Sequence, residues 1–313
     1  MKGEVTVIIP CYNVEAYIHE CLDSVALQGD VVHHIYVVDN NSTDDTVDTV
    51  RRWQNENPTS PLTLLSQTKP GAPAARNLPM SRVDTRWIQF LDADDLRLPG
   101  KIEDQIRQFP KADVICAGFQ RVSIRGEKTK AHLTQNTLLA LMKGTAGITS
   151  SNLFSTESVQ SVKGWDESLK SSQEYDLMFR VWQTGAKFEV DLTPRAIIRA
   201  RDSGQISQSN PQKRWQTYLN TRVQMLLNVD LSSLSSDDKY EVLNGLFFGL
   251  RMLYPFDADT ALKYHRQFLV NNRFRPRPSE HSSGVYCALY RIIGFVRVEA
   301  LKRIWSGKTT IRQ

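Results

Sequence analysis

The sequence is poor in the groups that hold zinc. Its 313 residues include four cysteines and six histidines. Cys11, Cys21, Cys116 and Cys287 form no CxxC pair, and no histidines stand at HxxxH spacing, which excludes the common zinc-ligand patterns. Thiols spaced in this way are expected to be buried and reduced, as in a cytoplasmic protein. Long apolar runs are missing as well. None approaches the roughly 18 residues of a membrane span, and the opening MKGEVTVIIPCYN carries too short an apolar stretch for a secretory signal. There is no lysine-rich run, so the net charge of +5 favours anionic small ligands or an anionic membrane surface and gives no support to nucleic-acid binding. The first turn reads PCYN instead of GxGxxG, and no GxxxxGK[ST] loop occurs, so neither familiar nucleotide fingerprint is present. Repeats and low-complexity tracts are absent too.

What is there is an ordinary globular composition, 41% hydrophobic and 23% charged, long enough for one large domain with an appendage or for two modest domains. Four apolar runs read as buried strands: VTVIIP (Val5 to Pro10), HIYVVD (His34 to Asp39), LTLLSQ (Leu62 to Gln67) and WIQFLD (Trp87 to Asp92). Helical patterns alternate with them. Asn13 is expected to cap the first helix and Thr43 the second. This rhythm predicts a doubly wound, mostly parallel sheet flanked by helices, with ligands beyond the carboxyl ends of the strands. That rule collects Pro10 to Asn13, Asp39 to Ser42 and Asp92 to Asp95 at one crevice. Further on, DVICAGFQRVSI reads as a strand pair, NTLLALMKG as a helix, EYDLMFRVWQTG as an amphipathic helix ending at Gly185, and KFEV and AIIRAR as strands. From Pro211 the pattern is helical, near 211–229, 237–253 and 258–270, and a Pro-rich connector (Phe274 to Ser283) precedes a last helix over about 285–305.

The stretch FLDADDLRL places Asp92, Asp94 and Asp95 at one strand end. Hard cations such as Mg2+ and Mn2+ take oxygen ligands, commonly one or two carboxylates plus substrate phosphates. An acidic turn of this kind also caps helices. Asp39 at a neighbouring strand end and Arg76 in PGAPAARN weigh toward a site for a metal and a phosphorylated ligand.

Five ordered segments carry a resemblance to a family: VTVIIPCYN, VVDNNSTDDT, PGAPAARN, IQFLDADD and GWDESLKSSQEYDLMFRVWQTG. Over about residues 4 to 186 the chain resembles family 2 glycosyltransferases of the GT-A fold. The resemblance implies an α/β, Rossmann-like catalytic domain over 1–205, with a nucleotide half to about 110 and an acceptor half over 111–205, followed by a helical region over 206–313. It implies inverting, metal-dependent transfer of a sugar from a nucleoside diphosphate, a UDP-sugar by preference, to a hydroxyl of a glycan or lipid-linked acceptor in bacterial surface polysaccharide synthesis.

By the same resemblance Pro10 and Tyr12 line the nucleobase pocket, Asp39 accepts from the base, Arg76 lies near base and phosphates, Asp92 faces the ribose and Asp94 holds Mn2+ or Mg2+. Glu174 matches the catalytic base, with Asp176 as the fallback. Trp165 and Asp166 match an acceptor-side wall, although Trp165 serves a core equally well. The chain departs from the family pattern at Glu174, where Asp is commoner, at Gln173, where an acid is frequent, and at Pro79, where Gly is frequent. Arg199 and Arg201 are candidates for closing over the diphosphate or for a solvated strand edge. Two other readings are a catalytically inactive relative acting as a scaffold and a sugar-1-phosphate nucleotidyltransferase, which should open with a Gly-rich basic loop that PCYNVEAY lacks.

In the last helix Val285, Leu289, Ile292, Ile293, Val296, Ala300 and Ile304 form an apolar stripe expected to face a core. Arg291, Lys302, Phe295, Val298 and Trp305 are expected on the opposite face, for peripheral contact with the inner face of the cell membrane or for a homodimer.

Overall fold

The computed structural model describes residues 2–200, 211–279 and 282–309. The chain divides into two compact units, Met1–Ser209 and Asn210–Gln313.

The first unit is built on a seven-stranded sheet whose middle comes from the four apolar runs: β1 (Val5–Cys11), β2 (Val32–Asp39), β3 (Leu62–Ser66) and β4 (Trp87–Phe90). β1 pairs in parallel with both β2 and β4, and β2 with β3. Two helices cover one face, α1 (Ile18–Ala26) and α2 (Thr46–Glu56). In α1 the buried Ile18, Cys21, Leu22 and Val25 recur at i, i+3, i+4 and i+7 and meet Val5, Val7 and Ile9 of β1 in one core. Each such fully buried aliphatic side chain contributes about 1.5–3 kcal/mol. Trp53 Nε1, at the edge of this core, donates to Asp23 at 2.8 Å.

Neither expected cap forms. α1 begins after Tyr17 and α2 after Asp45. Asn13 adopts a left-handed φ of 48° and accepts instead from the backbone N–H of Thr43 at 2.8 Å, so the two loops tie each other together at the strand ends. Asp44 accepts from the N–H and hydroxyl of Thr46 and from the N–H of Glu15.

Beyond α3 (Ala72–Asn77) and β4 come β5 (Leu96–Arg97), α4 (Lys101–Gln108), β6 (Val114–Ala117), β7 (Gln120–Val122), β8 (Lys128–Lys130), α5 (Thr137–Lys143), β9 (Leu153–Ser155), α6 (Thr156–Ser161), α7 (Gln173–Gln183), β10 (Phe188–Asp191) and β11 (Ala196–Arg199). The large sheet runs β10-β6-β9-β4-β1-β2-β3, with β9 antiparallel to both its neighbours. The expected strand pair in DVICAGFQRVSI is two strands in two sheets. β6 joins the large one, while β7 joins a small sheet ordered β5-β11-β7-β8. The N–H of Gly118 between them donates to Asp191 O, and a Cβ there would meet Leu192 O at 2.9 Å, so the chain can pass from sheet to sheet only in close contact with the loop after β10.

The second unit is helical: α8 (Pro211–Leu227), α9 (Ser236–Leu253), α10 (Ala258–Tyr264) continued by a π-helical turn His265–Val270, and α11 (Gly284–Thr309). Phe247 is its hub, ringed by Phe274, Tyr286, Tyr290 and Phe295. Arg251 Nε donates to Glu299 at 2.9 Å, and Tyr286 donates to the same oxygen at 2.6 Å, so a buried charge pair is satisfied inside an aromatic core.

The stripe expected for the last helix is inverted. Val285, Ile292, Val296 and Ile304 are exposed, Ile292 by 79%, whereas Phe295 and Val298 are buried. Before Gly294 the helix buries Tyr286, Cys287 and Tyr290, opposite Val285 and Ile292; Gly294, with φ of 79° and ψ of 173°, then breaks the helical phase, and the second half buries a different face through Phe295 and Val298. The expectation for Trp305 falls outside the side chains described. Among the described residues no helix is long and apolar enough to cross a membrane.

Candidate active site

The carboxyl ends of β1, β2 and β4 open into one cavity of about 600 Å3. Pro10, Cys11 and Tyr12 come from the first strand end, Asn40 and Asn41 from the second, and Asp92 to Asp95 from the fourth, with Gly71, Arg76, Ile198 and Arg199 closing the sides. Tyr12 is 59% exposed and offers an uncovered ring at the mouth. Asp39 does not line the cavity; it lies buried behind it and accepts weakly from the Ser42 N–H at 3.3 Å.

A residue that sequence reasoning passed over sets this wall. Asn40 donates through Nδ2 to Gln67 O and Lys69 O and accepts through Oδ1 from the Gly71 N–H, at 2.7–2.8 Å. Its amide thus fixes the loop that leads into α3 and to Arg76. The signal in the sequence was only its position after a parallel strand.

Arg76 is 4% exposed and reaches three groups at once. Nη2 donates to Asp92 Oδ1 at 2.6 Å, Nη1 donates to Gln173 Oε1 at 3.2 Å, and the guanidinium lies 4.5 Å from the centre of the Trp165 ring. Trp165 is therefore a floor under Arg76, 3% exposed and edge-on to Phe90 at 5.0 Å, and offers no face to a sugar. The acceptor-wall expectation for it is corrected: its ring is occupied by a cation on one side and an aromatic on another. Gln173, conspicuous for not being an acid, is the amide acceptor that completes the set around Arg76.

The acidic turn is closed by the Asp95 N–H donating to Asp92 O at 3.0 Å, and the Asp92 N–H donates to Ser150 Oγ at 2.9 Å. Asp95 points inward. Burial, followed by the charges of Asp94 and Asp92, pushes its carboxyl up to about 8, against the pull of a Ser150 hydrogen bond and Arg97. Asp94 lines the cavity with Asp92. Among the described residues no three His, Cys, Asp or Glu side chains group as a metal cage. One or two carboxylates facing an open cavity is the donor set that fits an ion completed by phosphate oxygens.

Arg199 lies at the cavity edge, where Nε donates to Asp94 O at 2.5 Å, Nη1 pairs with Glu20, and the backbone N–H donates to Asp95 Oδ1 at 3.2 Å. Its guanidinium thus steadies the acidic turn from behind. Arg201 lies outside the described residues.

Glu174 stands half-buried in the first turn of α7. It does not line the cavity and is connected to it through its neighbour Gln173, bound to Arg76. Asp176 is committed elsewhere: Arg180 donates to its Oδ2 through Nε and Nη2 at 2.9 and 2.7 Å and also holds Val162 O and Gly164 O. Asp176 therefore buttresses the loop before α7. Asp166 accepts from the N–H and hydroxyl of Ser168, bonds that hold its carboxyl below the usual carboxylate range. Glu167, not anticipated, bridges Lys69 at 2.6 Å and Asn77 at 2.9 Å and so joins the loop before α3 to that helix's last residue.

Residues 6–167 match the family model described as glycosyl transferase family 2. A putative teichuronic acid biosynthesis glycosyltransferase of Bacillus subtilis, TuaG, is 33% identical over 105 residues, which are 34% of this chain and 41% of that one. The chain spans less than two thirds of the length of the first curated relatives it matches. Among solved structures, residues 1–349 of S. aureus TarS in complex with UDP-GlcNAc superimpose with a TM-score of 0.62 at 21% identity, covering 87% of this chain and 79% of that chain. The mannosyltransferase PcManGT from Pyrobaculum calidifontis, in complex with GDP-Man and Mn2+, gives 0.56 at 15% identity over 98% and 88% of the two chains.

Proposed function

This chain belongs to glycosyl transferase family 2 and has the GT-A fold, and from that premise we propose that it transfers a sugar, with inversion, from a nucleoside diphosphate to an acceptor hydroxyl. The observation that carries the reading is the cavity at the strand ends, where Arg76 and the Asp92–Asp95 turn face each other. A nucleobase stacks on Tyr12 against Pro10, and Asp92, oriented by Arg76, takes the ribose hydroxyls. Uracil is the base that the family resemblance implies, with Asp39 as the acceptor for its N–H. TarS was crystallised with UDP-GlcNAc.

Asp94 is the residue to hold Mn2+ or Mg2+ together with the diphosphate. Such an ion stabilises the charge that develops on the leaving phosphate oxygen, and PcManGT was crystallised with Mn2+. Glu174 accepts the proton of the acceptor hydroxyl while that oxygen bonds to the anomeric carbon and the bond from that carbon to the diphosphate breaks. The nucleoside diphosphate departs on the opposite side, so the configuration inverts.

TuaG is named for teichuronic acid biosynthesis, and a cell-surface glycan or lipid-linked acceptor is the corresponding class here. The exposed Val285, Ile292, Val296, Leu301 and Ile304 of α11 lie among exposed Arg291, Arg297 and Lys302, a mixture suited to the headgroup region of an anionic membrane.

The test is nucleotide release measured across UDP-, GDP- and dTDP-sugars, with Mn2+ and with EDTA, for the wild type and Asp94→Ala. Release is expected from a UDP-sugar in Mn2+ and is lost in EDTA and in the variant. Undiminished turnover in EDTA removes the metal from the reading, and no release from any donor leaves the scaffold alternative.

A further inference from the structure

We infer that the acceptor is a polyanion whose phosphate or carboxylate groups are held in a second cavity beside the first; the inference rests on the glycosyltransferase reading above. This cavity, about 200 Å3, is lined by Phe119, Arg121, Thr129, Lys130, His132 and Ile148, together with neighbouring small residues. Ile148 lines both cavities, so they share a wall. The rim at Gly147 is also tied to the helix of the proposed base: Tyr175, next in sequence to Glu174, donates from its hydroxyl to Gly147 O at 3.0 Å. Through this bond the helix that carries Glu174 adjoins the rim of the cavity, and an acceptor chain that runs on from Glu174 along the rim enters it.

The chemistry of the lining selects the ligand. Residues 118–147 contain Arg121, Arg125, Lys128, Lys130 and Lys143 against the single acid Glu127, in a chain of net charge +5. Across the β7–β8 pair Arg121 stands opposite Thr129, Lys130 opposite Gln120 and Lys128 opposite Val122, so no carboxylate occupies a cross-strand position. Among the described residues no carboxylate pairs with Arg121, Lys128 or Lys130. The Arg121 guanidinium lies 5.5 Å from the centre of the Phe119 ring, which orients it. The lining's side-chain acceptors are confined to Thr129, Thr145 and His132, none of its residues is Asp, Glu, Asn or Gln, and the cationic donors of Arg121 and Lys130 dominate it. Guanidinium, ammonium and hydroxyl donors with no side-chain carboxylate or amide are suited to an oxyanion.

The test is affinity electrophoresis of the full chain at low salt through gels carrying poly(glycerol phosphate), polygalacturonate or neutral dextran, with UDP affinity measured in parallel by calorimetry. One or both polyanions are expected to retard the protein and dextran to have no effect. Retardation by only one polyanion identifies phosphate or carboxylate as the ligand group. In Arg121→Ala/Lys130→Ala the dissociation constant for the polyanion is expected to rise tenfold or more, and Lys128→Glu/Lys130→Glu is expected to do the same through exposed positions. Both variants should bind UDP like the wild type. Equal retardation by dextran, or wild-type polyanion affinity in both variants, overturns the inference. A wild type that binds no UDP overturns the donor reading instead, whatever the gels show.

Discussion

Arg76 and Asp92, sixteen residues apart in the chain, meet at 2.6 Å across the mouth of the candidate active site. The arginine is 5% exposed at its side chain and the aspartate 39%, so the charge of the pair is anchored on the protein side and presented on the ligand side. The planar guanidinium is what allows this, because one edge holds Asp92 and Gln173 while the face rests on Trp165. Arg76→Lys keeps the charge and loses both the fork and the stacking surface. Because Asp92 is partly solvated, the expected loss of stability is modest, about 1–2 kcal/mol. UDP affinity is expected to fall about tenfold, equivalent to about 1.4 kcal/mol. Calorimetry and thermal unfolding check both numbers, and unchanged UDP binding would show that Asp92 needs no orientation by Arg76.

The two acids of α7 are expected to separate cleanly. Glu174→Gln should lower turnover about a hundredfold or more, since a positioned base contributes roughly 10²- to 10⁴-fold, with little change in UDP affinity. Asp176→Asn weakens the anchor of Arg180, which also holds Val162 O and Gly164 O. Its expected signature is therefore a lowered melting temperature. Steady-state kinetics and calorimetric unfolding on the two variants decide the assignment; a full-rate Glu174→Gln with a dead but stable Asp176→Asn would exchange their roles.

What could be read from the sequence followed burial. The four core strands are legible because a strand covered on both faces is a continuous apolar run, and its polar end, as at Asp39 and Asp92, marks the ligand side. The three-residue β9, wedged antiparallel between β6 and β4, has too few residues to show a period. Neither Asn13 nor Thr43 caps a helix because the two bond to each other across loops 30 residues apart, a contact that no local pattern records. Trp165 shows a different limit, since an aromatic in a site motif reads alike whether it faces a ligand or underlies an arginine. In α11 the first half buries its aromatic face, Tyr286 and Tyr290, in place of the aliphatic one, and a left-handed glycine then shifts the face of the second half, of which a fixed helical period carries no trace.

His265 gives the helical unit a pH dependence. It is buried, its Nε2 lies 2.8 Å from Tyr290 Oη, and it stacks on Phe295 at 4.6 Å. Burial, and then the charge of Arg266, push the imidazole down to about 4. Because the folded value lies below the unfolded value of about 6.5, this stabilising contribution is present above pH 6.5 and is lost as pH falls through 4. Over that window the wild type is expected to lose more melting temperature than His265→Gln, a difference read by calorimetric scans at half-unit steps. Parallel slopes for the two proteins would place the acid sensitivity in other groups.

The exposed apolar residues of α11 lead to the last prediction. Ile292 at 79% and Val285 at 63% exposure are costly to leave in water, and Arg291, Arg297 and Lys302 are exposed among them. With Phe295 and Val298 turned into the aromatic core, the membrane-facing set differs from the face expected from helical period alone. Peripheral docking of this kind combines apolar insertion with attraction to anionic lipid, so it weakens with salt. In flotation with vesicles of phosphatidylglycerol the wild-type chain is expected to rise with the lipid at low salt and to remain behind with vesicles of phosphatidylcholine. Ile292→Ser/Val296→Ser, both at the surface, should cut the floated fraction severalfold without lowering the melting temperature. If the variant floats like the wild type, the surface of α11 has another partner, and equilibrium sedimentation of both proteins then reports whether that partner is a second copy of the chain.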